Sequence, residues 1–160
     1  MFNANQVSDW FLVKHSSEMQ TDEANDEYLT QMKLHKLLYY AQGVNLALFS
    51  ERLFSDDLLA WKHGPVVREV YERFKGKREI GEVISDEELE NYEKISDDLD
   101  NRMVLEVVYE TFSGYSAAKL RNMTHEETPW IEAYAKSSGD DVISISTIKT
   151  YFENNIIEKQ

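Results

Sequence analysis

Cysteine is missing from all 160 residues. That excludes a disulfide framework, a thiolate zinc site, an iron–sulfur cluster and a thiol nucleophile, and it agrees with a reducing compartment. Glycine occurs six times and proline twice, and the six glycines form no G-x-G-x-x-G, no G-x-x-x-x-G-K-[ST] and no G-x-S-x-G pattern. The loops that cradle phosphates and the elbow that presents a serine nucleophile are therefore absent. No apolar run approaches the ~18 residues a membrane helix needs. The opening Met1-Phe2-Asn3-Ala4-Asn5 has neither the basic nor the apolar part of a secretory signal. The expectation is a cytoplasmic protein with no membrane contact. Basic residues are scarce, 17 against 30 acidic ones, for a net charge of -13.

The acids are concentrated. Residues 18–27 carry five (Glu18, Asp22, Glu23, Asp26, Glu27) and no base; residues 82–100 carry nine and one base, Lys94. The two stretches account for the whole net charge. Such a surface repels phosphate backbones, so nucleic acid is not an expected ligand. A basic protein partner is a better match, although acids that merely keep the chain soluble would read the same way. The one local exception is Arg68, Arg73, Lys75, Lys77 and Arg78, set against Glu69, Glu72 and Glu79. This patch reads more simply as a solvated helix end than as a nucleic-acid footprint.

At 42% hydrophobic and 12% aromatic residues the chain can bury a core. Its periodicity is mostly helical. Asn3 caps a first helix bearing Val7, Trp10, Phe11 and Lys14, and the polar Ser16–Glu27 segment reads as a loop. Thr30 caps a helix whose apolar face (Leu34, Leu37, Leu38, Ala41, Leu48, widened by Tyr40, Val44 and Ala47) is too broad for a surface helix. Leu58-Leu59-Ala60-Trp61 is either extended or one helical turn. Pro65 opens a helix to about Phe74, and residues 75–84 read as a loop. Ser85 and Glu88 form a capping-box pattern. Leu99, Met103 and Val107 make one helical stripe and Val104, Val108 and Phe112 a second, ending near Gly114. Ser116 caps the next helix, Thr128-Pro129 opens another, Gly139-Asp140-Asp141 is a turn, and Ser146 caps a last helix through Phe152. The expected fold is mainly α: a single domain over residues 1–160, compact, with about seven helices and a short extended pair or β-hairpin near Trp61.

Residue chemistry offers no reaction. His125-Glu126-Glu127-Thr128-Pro129 starts like a zinc-binding helix but has Pro129 where the second histidine must stand. Asp97-Asp98-Leu99-Asp100 lacks the glycine and distal glutamate of a calcium loop. With 30 acids, chance carboxylate pairs are too common to single out a dyad. No metal, no cofactor and no catalytic residue is expected. Three compositions remain unusual. Lys33-Leu34-His35-Lys36-Leu37-Leu38-Tyr39-Tyr40-Ala41-Gln42 sets lysines and tyrosines on an otherwise apolar helix. Trp61-Lys62-His63-Gly64-Pro65 places an aromatic beside a sharp turn, and Thr124-His125-Glu126-Glu127-Thr128-Pro129-Trp130 does so again. An architectural role, with aromatics plugging the core and Gly or Pro fixing the turns, accounts for each of these as well as a binding role does.

These three segments resemble the Panacea-domain antitoxins, a family that includes phage-associated GepA-like proteins and the SocA antitoxin. The family pattern of Lys-Leu-Gln-Lys-Leu-Leu-Tyr-Tyr-Ala, Ala-Trp-x-x-Gly-Pro-Val and Thr-His-x-x-x-Pro-Trp matches Lys33–Ala41, Ala60–Val66 and Thr124–Trp130 in order and spacing. Tyr71 matches a tyrosine beyond the second segment, and Val7 to Leu12 is a looser match to the first helix. His35 stands where glutamine is usual, and Arg68 where proline is common. The resemblance implies a bacterial antitoxin that is not an enzyme and that neutralises a cognate protein toxin by direct stoichiometric binding. Given the acidity of this chain, that toxin is expected to be basic. A protease adaptor delivering the toxin to an AAA+ protease is the first alternative, and a small phage-associated enzyme a more distant one. A homo-oligomer is left open. The residues implicated in partner binding or in supporting the motif are Lys33, Lys36, Tyr39, Tyr40, Gln42, Trp61, His63, Gly64, Pro65, Tyr71, His125 and Trp130.

Overall fold

The structure, a computed structural model, describes residues 1–21, 27–136 and 141–157. The first helix, α1 (Ala4–Thr21), starts where Asn3 and Gln6 each accept the other's backbone N–H through their side chains, at 2.8 and 3.0 Å. It runs through the expected loop at Ser16. That stretch is polar but contains no glycine or proline, and an ion pair one turn apart, Lys14–Glu18 at 3.2 Å, suits a helix. A two-residue strand β1 (Leu29–Thr30) leads into α2 (Gln31–Phe49), where the Thr30 hydroxyl accepts the Lys33 N–H.

Every residue of α2 from Leu34 to Leu46 is buried, so this helix is the axis of the fold. Around it pack α5 (Leu99–Phe112), α6 (Ala117–His125) and α8 (Ile145–Asn155), while α1 carries α4 (Asp86–Ser96) on its outer side. The α8 contact is close: a Cβ on Gly43 would lie 2.3 Å from the Phe152 ring, so only glycine fits there.

Between α2 and α4 the chain makes β2 (Leu59–Trp61) and β3 (Gly64–Val66), paired antiparallel with Leu59 opposite Val66 and Trp61 opposite Gly64. Lys62 and His63 form the two-residue turn, and Gly64 takes φ +119°, a conformation that side-chain-bearing residues rarely adopt. This is the expected hairpin near Trp61. Pro65, however, belongs to its second strand and not to a helix start, and α3 begins later, at Arg68–Phe74. β4 (Glu79–Ile80) returns to pair with β1.

The caps at Ser85 and Ser116 form as their sequences suggest, Ser85 and Glu88 make a reciprocal capping box, and Asp98, which the sequence reading does not single out, caps α5. Of the two stripes on α5, Val104, Val108 and Phe112 face the core, whereas Leu99, Met103 and Val107 are exposed. The cap of α7 (Thr128–Tyr134) is Glu127 rather than Thr128, and that of α8 is Ser144 rather than Ser146. Residues 139 and 140 of the expected turn lie outside the described residues. The outcome is a mainly α fold with eight helices among the described residues, one more than the sequence predicts, and two short antiparallel strand pairs. Among those residues no helix is long and apolar enough to cross a membrane.

Candidate functional site

The three unusual segments meet at one end of α2. Helical spacing puts Lys36, Tyr39, Tyr40 and Gly43 along one side of that helix, and the hairpin, α6 and α7 close over it. Trp130 of α7 donates its indole N–H to the Trp61 carbonyl of β2 at 2.8 Å. Gly64 lies against α2 and α6 at once: a Cβ there would stand 3.2 Å from Lys36 Nζ and 3.1 Å from Thr124 Oγ1. Glu127, at the start of α7, accepts one hydrogen bond from Tyr39 and one from Tyr40, each 2.8 Å long.

The Glu127 carboxylate is 5% exposed, and both tyrosines are fully buried. Burial raises the Glu127 pKa against the lowering effect of its two hydroxyl donors. It also raises both tyrosine pKa values, reinforced by the neighbouring carboxylate. The triad is thus a satisfied internal polar cluster, with Tyr40 further stacked on Phe112 at 4.0 Å. Gln42 has a similar structural role. It donates to the Phe54 carbonyl at 2.9 Å and accepts the N–H groups of Leu53 and Phe54, which fastens the connection after α2.

The cations differ. Lys33 is half-buried and donates to the Ser113 carbonyl; burial lowers its pKa. Lys36 is only 2% exposed and makes no hydrogen bond or ion pair among the described residues. Burial, reinforced by Arg121, brings its pKa down to about 8. His35, the departure from the family pattern, accepts the Val67 N–H at 3.2 Å. Burial, with Lys36 nearby, pushes its pKa to about 3, so it is neutral. His125 stacks on Trp130 at 4.0 Å, and Trp130 in turn on Tyr134 at 4.5 Å. Burial, then Arg121 and Lys36, lowers the His125 pKa.

These placements divide the expected residues. Lys36, Tyr39, Tyr40, Gln42, Gly64, Pro65 and Trp130 are buried, whereas His63 is exposed and Lys33, Trp61, Tyr71 and His125 are half-buried. Trp61 meets Tyr71 edge-on at 4.9 Å, with the Arg68 guanidinium 5.8 Å from its ring. The surface of this end therefore presents paired aromatics with an arginine beside them.

Two members of the cluster escaped the sequence reading. Glu127 was indistinguishable among 30 acids, yet two tyrosines on a buried helix demand an acceptor, and Glu127 lies inside the third motif. Arg121 precedes that motif by three residues and carries no pattern of its own. The basic patch near α3 is interrupted: Arg73 turns inward to Asp9, 2.6 Å away, between the exposed Arg68 on one side and the exposed Lys75, Lys77 and Arg78 on the other. An open groove of about 700 Å³ lined by Leu12, Phe74, Lys77 and Gly81 lies there, apart from the motif end. Among the described residues no group of three His, Asp or Glu could hold a metal ion.

A family model described as antitoxin SocA-like, Panacea domain, matches residues 34–131. That span contains Ala60–Val66 and Thr124–Trp130 whole and all of the first motif except Lys33. No match is found among curated proteins or among solved structures.

Proposed function

The chain belongs to the SocA-like antitoxin family, in its Panacea domain, and from that premise we propose that it is a non-enzymatic antitoxin that neutralises a cognate protein toxin by binding it in a fixed ratio. The observation that carries this reading is the family match across the three motifs that converge on the β2–β3 hairpin. The buried members of those motifs give the hairpin a rigid base. Above it Trp61, His63, Tyr71 and His125 form the contact surface. Half-buried aromatics beside an arginine are the side chains that most often anchor protein interfaces.

Charge supports a basic toxin. Nine acids between residues 82 and 100 lie mostly on exposed positions in and around α4. Such a field raises the rate of encounter with a cationic protein without needing to lie inside the final interface.

The test is a titration of the purified chain against the toxin encoded beside it, with toxin activity and complex mass both followed. Neutralisation that saturates at a fixed ratio supports the proposal and gives the stoichiometry, including any homo-oligomer. Protection that appears only when an AAA+ protease is added assigns the chain to toxin delivery instead. Protection by trace amounts over many cycles would establish an enzyme and overturn the reading.

A further inference from the structure

At the hairpin base Tyr39, Tyr40 and Glu127 satisfy one another, but their neighbours do not. Lys36 Nζ has no acceptor among the described residues. Arg121 Nε is a buried side-chain atom that likewise has no hydrogen-bond partner, whereas the neutral His125 ring has its one N–H directed to the Lys62 carbonyl. The two groups come from α2 and α6, which meet at Gly64: a Cβ there would lie 3.2 Å from Lys36 Nζ and 3.1 Å from the hydroxyl of Thr124, one turn after Arg121 on α6. Thr124, between Arg121 and His125, donates its hydroxyl to the Arg121 carbonyl at 2.9 Å and so supplies no free proton. Glu127, although near in sequence, has both oxygens engaged by tyrosines.

Unmade hydrogen bonds and unpaired charges in a protein interior are costly, and native structures retain few of them. The end of α6 offers the partial negative charge of a helix C-terminus, but this does not balance the burial of Lys36, whose pKa still falls to about 8. Losing a proton could relieve Lys36 but not Arg121, since a guanidinium stays charged. What satisfies an ammonium and a guanidinium N–H together is an acceptor-only group with several lone pairs. A carboxylate is the smallest such group, and its single charge is cheaper to desolvate than the double charge of a phosphate.

We propose that Lys36 and Arg121 form a receptor for one carboxylate, entering beside Gly64 under the β2–β3 turn. Gly64 lets the hairpin backbone approach the end of the Lys36 side chain, since a Cβ there would crowd Lys36 Cε at 3.0 Å. The carboxylate belongs to an acidic side chain or the C-terminus of a protein partner. The site does not depend on that partner being a toxin, so the antitoxin reading and this one can fail separately.

The experiment uses the whole chain alone. Sodium acetate is titrated into the protein at constant ionic strength, with sodium chloride as the balancing salt, and the backbone amide resonance of Gly64, which lies against Lys36, is followed by NMR. Sodium phosphate is the second arm. The expected result is a saturable shift with acetate that is lost in Arg121→Gln and in Lys36→Met, with thermal melts reporting that each variant is folded. Arg121 is half-buried, so R121Q keeps the test decisive should K36M fail to fold. No saturable shift with acetate, an equal shift in R121Q, or a response to phosphate alone would each overturn the proposal.

Discussion

Beneath the β2–β3 hairpin a carboxylate and two hydroxyls are buried and answer to one another; along α4 most of the acids face water. Glu127 is held by two tyrosine hydroxyls, whereas Asp86, Glu87, Glu90 and Glu93 are exposed. Both regions look hydrophilic in the sequence, and the acidic helix far more so. The difference teaches that charge density and structural consequence are nearly independent: one glutamate inside the hairpin base matters more to the fold than the four exposed acids on α4.

The sharpest way to break this comparison is Glu127→Ala. It deprives two buried hydroxyls of their acceptor, each at about 1–3 kcal/mol, so urea unfolding should show a loss of about 4 kcal/mol. A loss under 1 kcal/mol would mean that the tyrosines find other partners and that the hairpin base is no more exacting than α4.

The next largest effect has the opposite sign. Lys36 titrates near 8 when folded and at its ordinary 10.5 when unfolded. The unfolded chain therefore holds the proton more tightly. Stability falls as the pH drops from about 10.5 through about 8 and stays lowered below that. Lys36→Met removes this penalty and should raise stability by up to about 3 kcal/mol at pH 7. The gain over wild type should shrink as the pH rises from 8 towards 10.5. A gain independent of pH across that window would place its origin in packing, not in charge.

Smaller still is Ser85→Ala, which removes the capping box of α4 and should cost about 1 kcal/mol, read from the same denaturation curves. Smallest is the double change Glu87→Gln with Glu90→Gln. Both carboxylates are exposed, so stability should move by no more than about 0.5 kcal/mol. Toxin association should nevertheless slow at low salt, and stopped-flow mixing at two ionic strengths separates the two effects.

Helix starts were the most legible part of the fold, because a capping side chain declares itself within four residues: Asn3, Thr30, Ser85 and Ser116 all accept the N–H they were expected to accept. Helix ends and strands were less so. Pro65 has the preset φ of a helix opening, and only the backbone of Gly64, which turns the chain at Lys62 and His63, makes it a strand residue. The continuation of α1 beyond Ser16 was hidden because an exposed helical turn and a polar loop share a composition. At the site, the motif residues were visible in advance, but their division into base and surface was not. That division depends on which elements close over α2, a long-range property that local pattern does not carry.

The contact of Gly43 with Phe152 bears on where this protein can be cut. The span recognised by similarity stops at residue 131, yet Phe152 lies beyond it and touches Tyr39 and Tyr40 as well as Gly43. A fragment trimmed to the recognised span would strip two helices from the central one and open its tyrosine face to water. The recombinant boundary that preserves the hairpin base must therefore run past the last family-defined residue and take in α8.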